Sequence, residues 1–352
     1  MSADERKILA HRQHVNYFMR FLNVLPSSLS SHDTTRVTIA YFSVAGLDVL
    51  GSISSLPEDL RNRIINWLYR LQVFPDNETG DMSACGFQGS STVNIDLNSD
   101  NKHYRCGHLA MTYTGLCILL TLGDDLSRLN RKAIIDGVRA LQTEEGNFSA
   151  TLSGCESDMR FVYCAACISY MLNDWSGFNI KRATDYIIKS IGYDFGIAQC
   201  PELESHGGTT FCALATLSLT NQLDQLTEKQ IEGLKRWLIL RQIDGFQGRP
   251  NKPVDTCYSF WVGASLKILD ALQLSNYDLN KSYVFETQDC VAGGFSKWPD
   301  TCTDPMHTYL GLAGLSLIGQ TGLLEIVPTL NITKRAHQHL KTLHEQWLHE
   351  VI

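Results

Sequence analysis

The sequence lacks any long run of lysine or arginine residues, and its formal net charge at neutral pH is −7. A nucleic-acid-binding protein usually carries a basic stripe that meets the phosphate backbone, so this class of function is disfavoured. An anionic substrate would have to meet a local cluster of basic side chains, because the protein as a whole does not present a positive field.

The sequence also lacks segments that direct a chain into or across a membrane. Its first fourteen residues, MSADERKILAHRQH, are charged and have no apolar signal core, and no apolar stretch approaches the length that spans a bilayer. The 11 cysteines have no framework spacing, which favours reduced thiols. We therefore expect a cytoplasmic protein, in which the glycosylation-like sequences at Asn77, Asn147 and Asn331 stay unmodified.

Signals for β-strands are scarce as well. No long alternation of apolar and polar residues occurs, and there is no Asn-Gly hairpin sequence. Apolar residues recur instead every three or four positions, as at Leu60, Ile64 and Leu68, which marks one face of a helix. Thr227 and Gln230 form a capping-box pattern ahead of a similar stripe. The predicted fold class is all-α.

A longer repeat lies over the helical pattern. Glycine/aromatic turns recur about every fifty to sixty residues, a period typical of two-helix repeats, near Gly86, Gly146, Gly196, Gly245 and Gly293. Each turn follows an amphipathic helix and precedes a helix that is apolar nearly all round, as expected of outer and inner helices. We predict an α/α barrel (toroid) of helical-hairpin repeats, with inner and outer helix rings around a central cavity.

This barrel is predicted to form a single domain over residues 1–352, since no linker interrupts the pattern. The repeat core of this domain is predicted for about residues 36–328, the range over which the family resemblance described below extends. A polar, histidine-rich helix on the surface is predicted for residues 331–352.

Three residues of zinc-ligand type stand where two successive inner helices begin. Asp255 and Cys257 are two apart in PNKPVDTCYSFW, and His307 holds the matching position of the next repeat, in DPMHTYLGLAG. Neighbouring helix starts would meet at one rim, giving three ligands and an open fourth position, as a catalytic zinc requires. Taken singly, the acid or the imidazole could cap a helix, and the thiol could be a core residue.

Basic and phenolic side chains gather near the same rim. Arg249 and Lys252 lie just before the first pair of zinc-type residues, Tyr258 lies just after it, and His206 occupies the corresponding turn of the preceding repeat. Together with the positive potential of helix N-termini, these donors would form a phosphate site. The alternative is a set of solvated turn charges.

Other sequences that could carry chemistry are missing or indicate packing. No Walker A, GxGxxG or DDxxD-type diphosphate motif is present. Cys164 and Cys167 have CxxC spacing, but they stand within an apolar helix, which favours core packing over metal or redox chemistry. Asp124 and Asp125 are typical of a helix cap in a loop.

Four segments, each in its own repeat and in the same order, resemble the beta subunits of protein prenyltransferases: ESHGGTTFC, GRPNKPVDTCYSFW, GGFSKWPD and DPMHTYLGLAGLSL. The resemblance covers the chain from about Arg36 to about Pro328. It implies an α/α barrel with a lipid-lined cavity and zinc at Asp255, Cys257 and His307. It also implies a site for the isoprenoid diphosphate at the basic and phenolic cluster, namely His206, Arg249, Lys252 and Tyr258.

The resemblance implies a specific reaction as well. The thiolate of a C-terminal substrate cysteine, held at zinc's open position, attacks C1 of a prenyl diphosphate, and pyrophosphate leaves. The residues of the diphosphate site would stabilise the negative charge that grows on the leaving oxygen. The barrel would supply proximity and exclude water.

Within that family, the sequence is most similar to geranylgeranyltransferase type I, which acts on C-terminal CaaX sequences in which X is usually Leu. Farnesyltransferase has a bulky Trp that shortens the lipid cavity, and Thr38 stands at that position here. Lys297 stands where farnesyltransferase has a magnesium-binding Asp, so a fixed ammonium would replace magnesium. Phe42, Tyr113 and Met306 match pocket positions near the lipid and the last peptide residue, although Leu would be expected in place of Met306.

Partners and alternatives follow from the same resemblance. It implies that the chain forms an obligate heterodimer with a helical alpha subunit. The resemblance also implies two substrates, which are geranylgeranyl diphosphate and the CaaX peptides of small GTPases and similar proteins. A Rab-type geranylgeranyltransferase or a farnesyltransferase beta subunit is the alternative enzyme, since Thr38 does not exclude the Rab type. A non-catalytic helical-repeat scaffold is the alternative of a different class. A terpene cyclase of similar form would need a DxDD sequence, which is absent.

Overall fold

The structure is a computed structural model that describes residues 8–93, 104–154 and 156–350, so that part of the charged N-terminus lies outside the described residues. Over the described ranges the chain forms thirteen α-helices, and its strands are limited to six two-residue segments in three antiparallel pairs. The all-α class predicted from the sequence is confirmed. None of the helices in these ranges is both long enough and apolar enough to cross a membrane.

The helices are α1 (His11–Asn23), α2 (Arg36–Val49), α3 (Glu58–Arg70), α4 (Leu109–Thr121), α5 (Arg131–Leu141), α6 (Met159–Met171), α7 (Ile180–Lys189), α8 (Gly207–Leu219), α9 (Glu228–Ile239), α10 (Tyr258–Ile268), α11 (Tyr277–Glu286), α12 (Pro305–Leu317) and α13 (Lys334–Glu350). The paired strands are β1 (Gln72–Val73) with β2 (Gly86–Phe87), β3 (Phe148–Ser149) with β4 (Ser157–Asp158), and β5 (Ile326–Val327) with β6 (Ile332–Thr333). Short 3-10 helices cover Ser27–Thr35, Ile53–Ser55, Ser91–Val93, Leu223–Gln225 and Leu272–Leu274.

The repeated glycine/aromatic turns are closed by short backbone bridges. In each of four turns the Gln just after an outer helix pairs with the Phe that follows the glycine: Gln72 with Phe87, Gln142 with Phe148, Gln242 with Phe246, and Gln288 with Phe295. Gly146 illustrates why glycine is needed, because its φ is +101° and a Cβ there would lie 2.2 Å from the Arg182 carbonyl oxygen. The turn sequence that repeats along the chain is thus a structural repeat.

Contacts between residues divide the chain into two compact units. The first unit contains the described residues of 1–25, 42–55 and 187–334, and the second contains those of 26–41, 56–186 and 335–352. The single domain expected for residues 1–352 stays a prediction.

In the first unit, three buried helices, α8, α10 and α12, pack side by side. Their sequences are rich in Ala, Gly, Thr and Leu, so that side chains are buried on every face of each helix. Gly314 of α12 permits close contact with α10, since a Cβ there would lie 2.6 Å from Ser259 Cβ. The amphipathic helix α9 begins with the predicted capping box of Thr227 and Gln230. These three buried helices carry the candidate site at their N-terminal ends.

In the second unit, α4 and α6 form the corresponding buried pair, and the amphipathic α3 buries Leu60, Ile64 and Leu68 as its spacing predicts. Helix α13 lies within the range predicted for the C-terminal helix, but residues 351–352 fall outside the described chain. Along α13 an apolar stripe spaced by three or four residues is buried: Ala336, Leu340, Leu343 and Trp347. One face of α13 is therefore buried, and the opposite face is exposed.

Candidate metal centre and phosphate pocket

The candidate site is built on helix starts. Helix α8 begins at Gly207, α10 at Tyr258 and α12 at Pro305, and α10 packs against both of the others. The Gly207 N–H donates to the Gly248 carbonyl at 2.8 Å, which ties the start of α8 to the turn that carries the next basic residues. Three N-terminal ends with their positive partial charges are thereby gathered in one region of the first unit.

The structure brings together the three residues predicted as zinc ligands. One ligand atom from each of Asp255, Cys257 and His307 lies within 4.8 Å of the other two, and the residues are 7%, 6% and 6% exposed. Over the described ranges this is the one cluster of three or more His, Cys, Asp or Glu residues with that geometry. A carboxylate, a thiol and an imidazole are the donor set of a zinc site that keeps a fourth position open.

Asp304 fixes the orientation of the His307 ring. The Asp304 carboxylate caps α12 by accepting from the His307 N–H at 2.9 Å, and its second oxygen lies 2.5 Å from His307 Nδ1. With Nδ1 engaged in this way, Nε2 faces the cluster 3.2 Å from Asp255 Oδ1, is buried, and has no hydrogen bond to any described residue. Ligating histidines usually donate their other ring N–H to a carboxylate, so this orphaned nitrogen fits a metal ion.

The charge of the cluster also fits a cation. Burial lowers the pKa of His307, but the carboxylates of Asp255 and Asp304 outweigh burial and raise that pKa to about 9. Burial and the Asp255 charge both raise the pKa of the Cys257 thiol well above its usual value. Two carboxylates around one imidazole leave negative charge that a proton or a divalent cation can neutralise, and a metal would displace protons from these groups.

A pocket of about 210 Å³ adjoins the cluster. It contains all four residues predicted to hold a diphosphate, together with the predicted magnesium substitute, and is lined by His206, Gly248, Arg249, Lys252, Pro253, Asp255, Tyr258, Lys297 and Trp298. Its cationic side chains outnumber its one carboxylate, so the pocket suits an anion despite the net negative charge of the chain.

His206 and Tyr258 form a hydrogen-bonded pair inside this pocket. The Gly208 N–H donates to His206 Nδ1 at 3.0 Å, which leaves the ring proton on Nε2, 2.9 Å from Tyr258 Oη. Burial and the charge of Arg249 lower the pKa of His206, and burial with nearby negative groups raises the pKa of Tyr258. Both groups are therefore neutral at pH 7, and the phenol can donate its own proton toward a ligand in the pocket.

The three cationic side chains of the pocket have weaker contacts than the hydrogen-bonded pair of His206 and Tyr258. Arg249 Nη1 lies 2.7 Å from Glu204 Oε2 in an exposed ion pair, and Lys252 is exposed. Lys297 Nζ lies 3.8 Å from Asp255 Oδ2 and 4.4 Å from the centre of the Trp298 ring. Exposed ion pairs contribute little to stability, so Arg249 can exchange Glu204 for a bound anion at small cost.

The predicted lipid and peptide residues are distributed over both units. In the second unit, Thr38 Oγ1 lies 3.5 Å from Met111 Sδ, and Tyr113 Oη lies 3.2 Å from Tyr163 Oη. In the first unit, Phe42 has its ring centre 6.0 Å from that of Tyr309. Met306 is half-buried beside His307 in the first turn of α12. A lipid pocket shared by these residues stays a prediction.

The sequence analysis missed several residues that contact the candidate site residues. Asp304 could have been found, because an Asp followed by Pro three residues before a histidine is a helix-start pattern. Tyr163 stands one repeat after Tyr113, so the repeat length pointed to it. Glu204, the partner of Arg249, had no local signal. Cys164 and Cys167 are buried in α6, in agreement with core packing.

Comparison with known proteins places the chain in a family. A family model described as "Prenyltransferase alpha-alpha toroid domain" matches residues 9–332. The chain belongs to this family. The toroid architecture and the resemblance to prenyltransferases that were predicted from the sequence are thus confirmed.

Individual relatives indicate a more specific function than the family model does. The geranylgeranyl transferase type-1 subunit beta of Dictyostelium discoideum is 38% identical over 332 residues, 91% of this chain and 94% of that protein. Its namesake in Arabidopsis thaliana is 37% identical over 334 residues, 91% of this chain and 88% of that protein. A solved structure described as "Candida albicans protein geranylgeranyltransferase-I complexed with GGPP" matches with a TM-score of 0.84 and 30% identity, covering 96% of this chain and 99% of that one.

These relatives confirm the predicted class of function, prenyl transfer by a beta subunit of the geranylgeranyltransferase type I kind, and they confirm that the class is enzymatic. The family does not by itself assign individual site residues in this chain. Those assignments depend on the geometry described above.

Proposed function

We propose that this chain is the catalytic beta subunit of a zinc-dependent protein geranylgeranyltransferase type I. The observation that carries the proposal is the buried cluster of Asp255, Cys257 and His307 at the edge of an anion pocket. A metal that holds a thiol, set beside donors that hold a diphosphate, is the arrangement that thiol alkylation by a prenyl diphosphate needs.

Asp255, Cys257 and His307 would hold the zinc ion, with Asp304 fixing the ring orientation of His307. When bound, zinc supplies a Lewis acid that keeps a coordinated thiol deprotonated at neutral pH. With three protein ligands, the site would leave room for the cysteine of a C-terminal CaaX peptide. These residues therefore determine where the nucleophilic sulfur stands.

The pocket residues act on the leaving group. The sulfur–C1 bond of the product forms as the C1–oxygen bond of geranylgeranyl diphosphate breaks, and the electron pair leaves with pyrophosphate. The Tyr258 phenol, oriented by His206, donates toward the developing oxyanion, while Arg249 and Lys252 neutralise its charge. Donors fixed before the reaction stabilise this charge without reorganising.

Lys297 takes a separate role in the proposal. Its ammonium lines the pocket beside Asp255, where it would neutralise the diphosphate in place of a magnesium ion. Activity without added magnesium follows from this assignment. Thr38, a small residue against Met111, would leave room for the longer of the two common isoprenoids.

The proposal includes a partner and a compartment. As the term beta subunit in the names of its relatives implies, the chain would work as a heterodimer with an alpha subunit. It would act in the cytoplasm on CaaX proteins such as small GTPases. Geranylgeranyl diphosphate would be the lipid substrate, as supported by the ligand named for the Candida albicans structure.

The deciding experiment is prenyl transfer by the chain co-expressed with its alpha subunit. A CaaX peptide ending in Leu is offered with geranylgeranyl or farnesyl diphosphate, with and without magnesium, and zinc content is measured on the same preparation. Efficient transfer of the geranylgeranyl group without magnesium supports the proposal. No transfer from a zinc-loaded heterodimer would contradict it and favour the Rab type, whose substrates require an escort protein.

A further inference from the structure

The N-terminal helix α1 is docked onto the turn between α11 and α12. Gly293, at the tip of that turn, has a φ of +81°, and a Cβ there would lie 2.2 Å from the Gln13 carbonyl oxygen of α1. The Arg20 guanidinium donates to the Ala292 carbonyl at 2.6 Å. Helix and turn therefore approach as closely as a glycine allows. The same turn leads within a few residues to Lys297.

One buried histidine joins the two elements. The Gly294 N–H donates to His14 Nδ1 at 2.9 Å, and His14 Nε2 lies 2.9 Å from Gln288 Oε1. The His14 ring also stacks on Phe295, with ring centres 4.7 Å apart. Since His14 is 0% exposed, both of its ring nitrogens are committed to the turn and neither contacts solvent.

The two hydrogen bonds determine the state of the ring. Because Nδ1 accepts from a backbone N–H, the single proton of a neutral imidazole resides on Nε2, which donates to the Gln288 side-chain oxygen. Burial lowers the pKa of His14 to about 4, so the ring stays neutral at physiological pH. The imidazole thus acts as a rigid link with one acceptor and one donor at fixed positions.

The segment held by His14 is also attached to α12 and to the segment before α10, which carry the three candidate ligands. The Phe295 N–H donates to Thr308 Oγ1 at 3.0 Å, and the Thr256 hydroxyl donates to the Ser296 carbonyl at 2.7 Å. The Thr256 N–H donates to the Lys297 carbonyl at 3.2 Å. Thr256 lies between Asp255 and Cys257 in the sequence, and Thr308 follows His307. The backbone of Lys297 is therefore positioned relative to the metal cluster by contacts from α1, from α12 and from the segment just before α10.

We propose that His14 is a positioning residue that, through Gly294, holds the turn so that the Lys297 ammonium stands at the leaving group. The inference rests on the proposed function, because Lys297 matters only if a diphosphate occupies the pocket. It makes α1 a part of the active-site support. His14 itself touches no reacting atom in this scheme.

Two substitutions of His14 remove its two hydrogen bonds one at a time. Asn places a side-chain oxygen near the position of Nδ1, so His14→Asn keeps an acceptor for Gly294 and loses the bond to Gln288. Gln places its amide near the position of Nε2, so His14→Gln keeps the bond to Gln288 and loses the acceptor. Arg20→Ala is the matched control, because it loosens α1 from the turn without removing the His14 bond.

The heterodimer is assayed with geranylgeranyl diphosphate and a CaaX peptide ending in Leu, well below the lowest unfolding temperature of the set. We expect about a tenfold lower kcat for His14→Gln at unchanged peptide KM and unchanged zinc content, since small displacements of a charge-stabilising group reduce kcat by factors of this order. His14→Asn and Arg20→Ala should stay within about twofold of the parent kcat.

A double-variant cycle tests whether His14 acts through Lys297. In a Lys297→Ala background, His14→Gln should cause no further loss of kcat, because the group that it positions is already absent. Equal kcat for His14→Gln and the parent, or a full additional loss in the double variant, overturns the positioning role. If Lys297→Ala alone keeps the parent kcat, the proposed role of Lys297 fails first, and the inference fails with it. Zinc-dependent prenyl transfer by the parent would still stand in that case.

Discussion

Asp304 binds His307 twice, through the backbone N–H at 2.9 Å and through the ring Nδ1 at 2.5 Å, so one carboxylate both starts helix α12 and fixes the imidazole. Local helix chemistry and the candidate metal centre are coupled in this pair. The orientation of His307 Nε2 depends on a residue that would not itself touch the metal.

Asp304→Asn tests that coupling. Asn can still cap α12 by accepting from the His307 N–H. It has only one oxygen, so it cannot also accept a hydrogen bond from His307 Nδ1 as the carboxylate does. We expect zinc affinity, measured by competition with a chelator, to fall by about 10- to 100-fold with little change in helix content. Asp300→Asn, in the same loop but exposed, is the control. Unchanged zinc affinity for Asp304→Asn would contradict the role of this pair.

Cys257→Ala tests the ligand cluster directly. Loss of the only thiol in the cluster leaves two ligands, too few for a stable zinc site, so zinc content and prenyl transfer should be lost together. Metal analysis of the purified heterodimer is the measurement, and Cys302→Ala, at an exposed cysteine, is the control. Retention of zinc with full activity would remove Cys257 from the ligand set.

Thr38→Trp tests the length of the lipid pocket. Thr38 lies against Met111, and in the proposed function an indole there would fill space assigned to the last isoprene unit of a geranylgeranyl chain. We expect the ratio of kcat/KM for farnesyl over geranylgeranyl diphosphate to rise by about tenfold or more, since steric exclusion from a pocket discriminates strongly. An unchanged ratio would mean that another residue sets the chain length.

Lys297→Asp tests the magnesium substitute. The change replaces an ammonium beside Asp255 with a second carboxylate, which favours binding of a magnesium ion between the protein and the diphosphate. Activity measured against magnesium concentration should become dependent on the ion, whereas the parent should not respond to chelation of magnesium. Lys334→Asp, at an exposed ion pair with Glu325, should leave the parent behaviour intact. A variant as indifferent to magnesium as the parent would refute the role of Lys297.

The stability of the protein should depend on pH through His14. Burial is the main cause that lowers its pKa to about 4, with His11 acting in the same direction and Gln288 and Asp289 opposing, whereas the unfolded chain has a histidine pKa of about 6.5. The unfolded state binds more protons between these values, so the contribution is intact above pH 6.5 and is lost as the pH falls toward 4. This pKa difference contributes about 3 kcal/mol to the free energy of unfolding.

Denaturant unfolding of the heterodimer between pH 4.5 and 7.5 is the measurement. His14→Gln should flatten the decline in the free energy of unfolding toward low pH, because it removes the group whose protonation differs between the two states. His32→Gln, at an exposed histidine, should leave the decline as steep as in the parent. Parallel curves for His14→Gln and the parent would contradict this assignment.

The sequence by itself determined the features that arise within one helix or one repeat. The stripe of Leu60, Ile64 and Leu68 and the capping box of Thr227 and Gln230 involve residues a few positions apart, so local periodicity is enough to predict them. The repeat placed Cys257 and His307 at equivalent helix starts, and this symmetry predicted their proximity without coordinates.

Only the tertiary structure decided contacts between residues that no repeat relates. His14 meets Gly294 across 280 residues, and Arg20 meets Ala292 across 272. Long-range pairs depend on how whole helices pack, and that packing results from the sum of many small contacts along the chain, so no single stretch of residues encodes it.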